Sequence, residues 1–177
     1  MKFQNPKLKL VLLLVPFGLL SQLVSAQDDR DAVSSNVKYS FATVCGNYGA
    51  IAVYGANIAR ALGNETLDGK GNVTGAAFVN QPGPAGTRTI VNIGIGGTYT
   101  VNPDGSGKMV LTITLPDGTT SGVTEDFVIT KVKMIDGVAI ASEIQDAQEV
   151  PSAVIEDSSL VYHTYTLRSV PKSCRSW

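Results

Sequence analysis

Four Asp-Gly steps punctuate the middle of the chain: Asp68-Gly69 in LDGKGNVTG, Asp104-Gly105 in NPDGSGKMV, Asp117-Gly118 in LPDGTTSGV and Asp136-Gly137 in MIDGVAIA. Asp and Gly tolerate the positive φ that tight reversals require, so Asp-Gly between strand-forming runs marks a place where an antiparallel ribbon turns back. Pro103 and Pro116 stand just ahead of two of the steps, where a fixed φ helps to start a turn. Calcium loops are the competing reading, and they fail on ligands. A helix-loop-helix calcium loop with Asp68 at its fifth place needs a carboxylate at the twelfth, which is Gly75; the same test from Asp104 reaches Leu111.

The segments between the corners alternate. KMVLTITL (108–115) puts Met109, Leu111, Ile113 and Leu115 on one side and Lys108, Thr112 and Thr114 on the other, the period of a half-buried strand. Comparable runs rich in Val, Ile, Thr, Tyr and Phe are VKYSFATV (37–44), VTGAAFVN (73–80), TRTIVNI (87–93), GTYTV (97–101), VTEDFVITKVKM (123–134), VAIASEI (138–144) and LVYHTYTL (160–167). Such spacing predicts an all-β sandwich or closed barrel. Only ANIARALG (56–63) has helical character, with Ile58 and Leu62 four apart and Gly63 as a stop; it reads equally as a strand entering the first corner.

The N-terminus carries Lys2, Lys7 and Lys9, an apolar run from Leu10 to Leu20, and the small residues Ser25 and Ala26. This predicts a secretory signal peptide over 1–26, cleaved after Ala26. The apolar run is about half of the roughly 20 residues that a spanning helix needs, which disfavours a permanent anchor. QDDRDAVSSN (27–36) is polar and without period and reads as a flexible lead-in, leaving 37–177 as a single domain. Of 14 basic and 15 acidic residues, the leader takes three lysines, so the remaining chain has 11 basic against 15 acidic, a net charge of −4 with His neutral. Scattered cations on an acidic body argue against nucleic acid and anionic membrane surfaces as partners. The expected location is secreted or periplasmic. In an exported chain the two cysteines, Cys45 and Cys174, read as a disulfide tying the start of the fold to its tail, with two unpaired thiols as the alternative.

Two connections are long. NQPGPAGTR (80–88) reads as a surface loop, and QDAQEVPSAVIEDSS (145–159) as a connection of the length that often forms a lid or binding element. Chemistry is sparse. The lone histidine, His163, shares a face with Val161, Tyr165 and Leu167, as a core or barrel-lining histidine would, while remaining the residue best suited to acid-base work. One His excludes a multi-histidine metal site, and no Gly-x-Ser-x-Gly elbow or phosphate loop is present. Glu125-Asp126 are strand neighbours, so one of them points inward. Together with Glu143 in VAIASEI, this strand is where a polar group inside a cavity is to be sought, the alternative being carboxylates near strand ends in water. No cofactor and no metal ligand set is expected.

The runs TLDGKGNVTG, GTYTVNPDGSGKMVLTITLPDGTT and DFVITKVKMIDGVAIASEI resemble small exported bacterial proteins forming barrels of calycin or allene-oxide-cyclase-like type, over about residues 60–168. The resemblance implies an antiparallel up-and-down β-barrel of about eight strands, with at most one short helix, whose interior holds one small apolar ligand. No cyclase site position finds a match here, so no catalytic residue carries over. The expected function is non-catalytic binding of a small hydrophobic molecule. The alternatives are a cofactor-free cyclase or isomerase, for which His163, Glu143 and Tyr162 are the residues to test, and a structural surface or matrix protein.

Overall fold

A computed structural model of the chain describes residues 38–54, 59–149 and 161–175. The expected signal peptide and lead-in lie outside the described residues. Eight antiparallel strands form one closed up-and-down barrel: β1 (Gly46–Tyr54), β2 (Ala59–Leu67), β3 (Asn72–Pro82), β4 (Arg88–Val101), β5 (Ser106–Thr114), β6 (Thr120–Ile135), β7 (Val138–Gln148) and β8 (Val161–Ser169). Each strand pairs with its neighbours in sequence, and β8 closes the circle onto β1, from Asn47 opposite Ser169 to Tyr54 opposite Val161. Among the described residues the only helical pieces are single 3-10 turns at Phe41–Val44, Pro84–Gly86 and Lys172–Cys174.

All four Asp-Gly steps are hairpin corners, but of two kinds. Asp136-Gly137 is a two-residue turn with both residues at positive φ, 51° and 82°. The others are longer. At the β5–β6 corner Gly118 N–H donates to Leu115 O at 2.9 Å and Leu115 N–H to Thr119 O at 2.8 Å, with Gly118 at φ 85°. This is a type I turn followed by a left-handed residue, and Pro116 occupies the place where its fixed φ fits. The aspartates bind the turn itself. Asp117 Oδ1 accepts Thr119 N–H at 2.9 Å, Asp104 Oδ1 accepts Ser106 N–H at 3.0 Å, and Asp68 Oδ1 accepts the N–H groups of Lys70 and Asn72 at 2.7 and 3.0 Å.

The structure corrects several expected boundaries. The run 37–44 is not a strand: Phe41–Val44 is a 3-10 turn packed on β7, and the first strand begins at Gly46. The described part of 56–63 is strand, paired on both sides from Ala59, because two ladders outweigh any helical leaning of ANIARALG. TRTIVNI and GTYTV are one strand, β4. The glycines between them are not a break; Gly97 lies opposite Leu111, where a Cβ would stand 2.2 Å from Val110 O, so the backbones approach too closely for a side chain. β7 continues through Gln148, into the segment read as a loop over 145–159, of which 150–159 lies outside the described residues; β3 runs to Pro82 and β4 starts at Arg88, which leaves 83–87 as the connection read from 80–88.

Inward-facing residues differ in size along the barrel axis. One end, where the Asp68, Asp104 and Asp136 corners lie, is filled by Val44, Tyr48, Leu67, Tyr99, Met109 and Phe127. Tyr48 Oη donates to Ala141 O at 3.0 Å, and Gly69 N–H donates to Tyr99 Oη at 2.9 Å. The other end is lined by Ala52, Ala61, Ala77, Val79 and Val161, which leave space. The outer face is mixed: it carries the ion pairs of Lys108 with Asp126 at 3.3 Å and Lys131 with Glu143 at 2.8 Å, together with the exposed side chains of Ile51, Leu62, Phe78 and Ile90. No helix among the described residues is long and apolar enough to cross a membrane.

Cys45 and Cys174 lie at disulfide distance, Cα to Cα 5.6 Å, packed with Ile140 and Val170. The bond joins positions 129 residues apart in sequence, so replacing both cysteines with alanine should lower the unfolding free energy by up to about 5 kcal/mol. A urea titration of the double variant checks this, and an unchanged midpoint contradicts it. A Cβ on Gly107 would stand 2.2 Å from Phe127 Cζ and 2.3 Å from Thr100 O, whereas one on Gly96 meets nothing within 4 Å. Gly107→Ala should therefore cost about 1–3 kcal/mol and Gly96→Ala less than about 0.5 kcal/mol in the same titration.

Candidate functional site

The small side chains at the roomy end enclose a cavity of about 340 Å³ inside the barrel. Its walls are mainly aliphatic, from Ala61, Ala77, Ile93, Ile95, Leu111, Ile113 and Val123, and its rim includes Gln81, Leu115, Pro116, Asp117 and Ser121. The polar lining is concentrated between the cavity and the filled end, and it comes from separate strands: Glu65 on β2, Glu125 on β6, Gln148 on β7, His163 on β8 and Tyr54 on β1. Asp146 on β7 stands behind them, buried.

Register puts these groups together. Asp146 lies directly opposite His163 across β7 and β8, and Gln148 opposite Glu125 across β6 and β7. Asp146 Oδ1 accepts the backbone N–H of His163 at 3.0 Å and lies 2.6 Å from its ring Nδ1. Glu125 Oε1 is 3.5 Å from the same nitrogen. Glu65 enters from β2, where it pairs with Gly75 on β3. A Cβ at Gly75 would lie 2.7 Å from Glu65 Cγ, so the missing side chain makes the room that Glu65 occupies.

The environment displaces the protonation of these groups. Burial alone would discharge His163, but the Asp146 hydrogen bond and the charges of Asp146, Glu125 and Glu65 outweigh it and carry the ring up to about 9. The imidazole is thus protonated at neutral pH, and Nδ1 donates to Asp146. Burial raises Glu65 to about 7, with His163 opposing and Asp146 adding to the rise. Glu125 is raised further, by burial first and then by the neighbouring carboxylates against the pull of His163. Burial also lifts the Tyr54 hydroxyl to about 12. Five buried polar atoms here make no well-aligned hydrogen bond to another described residue, Glu65 Oε2, Glu125 Oε2, Asp146 Oδ2, Gln148 Oε1 and Tyr165 Oη, although Asp146 stands close to both Glu125 and Tyr165.

Glu125, Asp146 and His163 each bring one ligand-type atom within 4.8 Å of the others. The closest two, Asp146 Oδ1 and His163 Nδ1, are held together by a proton that a cation would first have to displace. Acid-base chemistry suits the cluster better, because a protonated imidazole and a neutral carboxyl sit in the same enclosed space.

Of the residues singled out from sequence, His163 and Glu125 reach the cavity. Glu143 and Tyr162 do not. Glu143 lies on the outer face, where hydrogen bonds from Lys131 and Thr130, at 2.8 Å each, hold its carboxyl below the usual range. Tyr162 is next to His163 in the strand and so points the other way, 55% exposed. Tyr54 was missed because β1 was, Glu65 because β2 was followed only to Gly63, and Asp146 and Gln148 because β7 was ended at Ile144. The period-two run Tyr48, Ala50, Ala52, Tyr54 was a usable signal for β1, masked by its glycines and alanines. Comparison of the chain with protein-family models and with curated proteins finds no match.

Native pKa values raised above their unfolded values mean that the folded state holds extra protons, so stability falls as pH rises through the range they span. For Glu65 that range runs from 4.5 to about 7, and for His163 from 6.5 to about 9. Thermal unfolding should therefore show the highest melting temperature near pH 5 and a steady fall toward pH 9. Glu65→Gln should flatten the part between pH 5 and 7. A profile that rises across neutral pH contradicts the assignment.

Proposed function

We propose that the protein is an exported β-barrel that holds a small, largely apolar molecule in its interior without changing it covalently. The observation that carries this reading is the open-mouthed cavity of about 340 Å³ with aliphatic walls, within the size range of small-molecule sites. A barrel serving only as a stable body gains nothing from alanines where larger side chains would fill the space. The cysteine pair and the leader-like N-terminus support export to an oxidising compartment. The likeness to exported calycin-type barrels points the same way.

A cofactor-free isomerase or cyclase is the second reading, and one observation favours it: His163 and Glu125 face the same cavity, both with raised proton affinity, the imidazole charged and the carboxyl neutral. The two readings part on His163→Gln. A carrier keeps its apolar binding in that variant, whereas an enzyme keeps binding and loses turnover.

The neutral fluorophore N-phenyl-1-naphthylamine tests the carrier reading. Wild-type protein should bind it with a blue-shifted, enhanced emission. Ala61→Phe, which places a ring in the cavity, should weaken binding at least tenfold with the far-ultraviolet circular dichroism of the barrel retained. Equal emission from both proteins, or none from either, contradicts an internal binding site.

A further inference from the structure

Resting on the reading of the cavity as a ligand site, we infer that its ligand has a basic nitrogen at one end, an alkylammonium or a comparable cluster of N–H donors, seated on Glu65, Glu125 and Gln148 with its apolar body against the aliphatic wall. The polar groups are lopsided in kind. Three carboxyl groups, one amide and two tyrosine hydroxyls gather around the inner end of the cavity, and no Lys or Arg is among the described residues that line it. His163 is the one cationic group, and it is already committed to Asp146 through a 2.6 Å contact. Glu65 Oε2, Glu125 Oε2, Gln148 Oε1 and the Tyr165 hydroxyl make no hydrogen bond to another described residue, and the first three belong to side chains 3%, 2% and 7% exposed.

Buried acceptors of this kind cost free energy unless something donates to them. They approach from two walls, Glu65 from β2 and Glu125 with Gln148 from the paired strands β6 and β7, so a single ligand group between them could serve all three. A carboxylate or phosphate end would meet carboxyl oxygens and no free cation. A hydroxyl end has one proton for three acceptors. The nitrogen of an amine takes up the proton that burial keeps on a glutamic acid here, giving an ammonium with three N–H donors beside the carboxylate so formed, and the apolar wall strengthens that pairing. The arrangement is also permissive in its body: the wall offers shape and no hydrogen bonds, so selection falls on the polar end.

Competition for bound N-phenyl-1-naphthylamine at neutral pH by octylamine, 1-octanol and octanoate, matched in chain length, tests the inference. Octylamine should displace the probe at a concentration at least tenfold below that of octanol, with octanoate weakest. Glu65→Gln and Glu125→Gln should each reduce the preference for amine over alcohol at least fivefold while probe binding persists; if a variant fails to fold, the wild-type ranking alone decides. Octanol equal to or better than octylamine overturns the basic-nitrogen end and leaves the apolar cavity standing. Failure of the probe and all three competitors to bind overturns both. Tight binding of zinc alone, lost in Glu125→Gln and accompanied by no preference for the amine, overturns the inference in favour of a metal site.

Discussion

Closure of the ladder between β1 and β8 is the constraint from which the other features follow. Once Tyr48 to Tyr54 pair with Leu167 to Val161, no strand edge remains, and every strand has one face turned into a shared interior and one turned to water. Period-two alternation then has a single consistent solution. A slip of one residue in the β5–β6 ladder would send Met109, Leu111 and Ile113 outside and Lys108 and Thr112 inside. The cysteine pair reinforces the same seam from without, joining the residue ahead of β1 to the turn after β8.

Within that closed wall, side-chain volume decides what is core and what is cavity. Tyrosine, methionine, phenylalanine and leucine fill one end, and glycines opposite them give the large side chains space, as Gly107 does for Phe127. Alanine and valine at equivalent inward positions of β1, β2 and β3 cannot fill the other end. The polar residues lie at the transition between the two, where they can contact the hollow and yet be shielded from bulk water. Low dielectric there explains why the carboxyls of Glu65 and Glu125 hold their protons while His163, bonded to Asp146, keeps its charge.

Much of the fold was legible because its signals are local. An Asp-Gly corner depends on a few consecutive residues, and alternation in β5, β6 and β8 is visible inside a window of eight. Strands β1 and β2 were harder, since GNYGAIAVY and ARALGNETL are built from glycine and alanine, whose strand propensity is poor and whose place is set by pairing partners on both sides. The site was legible only in part. His163 and Glu125 could be assigned to faces, but Asp146 lay in a stretch that looked like a loop until β8 supplied its partner strand. Glu143 follows simple alternation with Ile144 onto the outer face, so of the two carboxylates weighed from sequence only Glu125 turns inward.

The sequence by itself determined the corners, the strand period and hence an antiparallel all-β body, because turn chemistry and alternation act between near neighbours in the chain. Tertiary structure alone decided that Glu65, Glu125, Asp146 and His163 meet and that a hollow lies beside them. Those residues span nearly a hundred positions of sequence, and their meeting depends on ladder register and on the difference in volume between the two ends of the barrel, neither of which any short stretch of residues encodes.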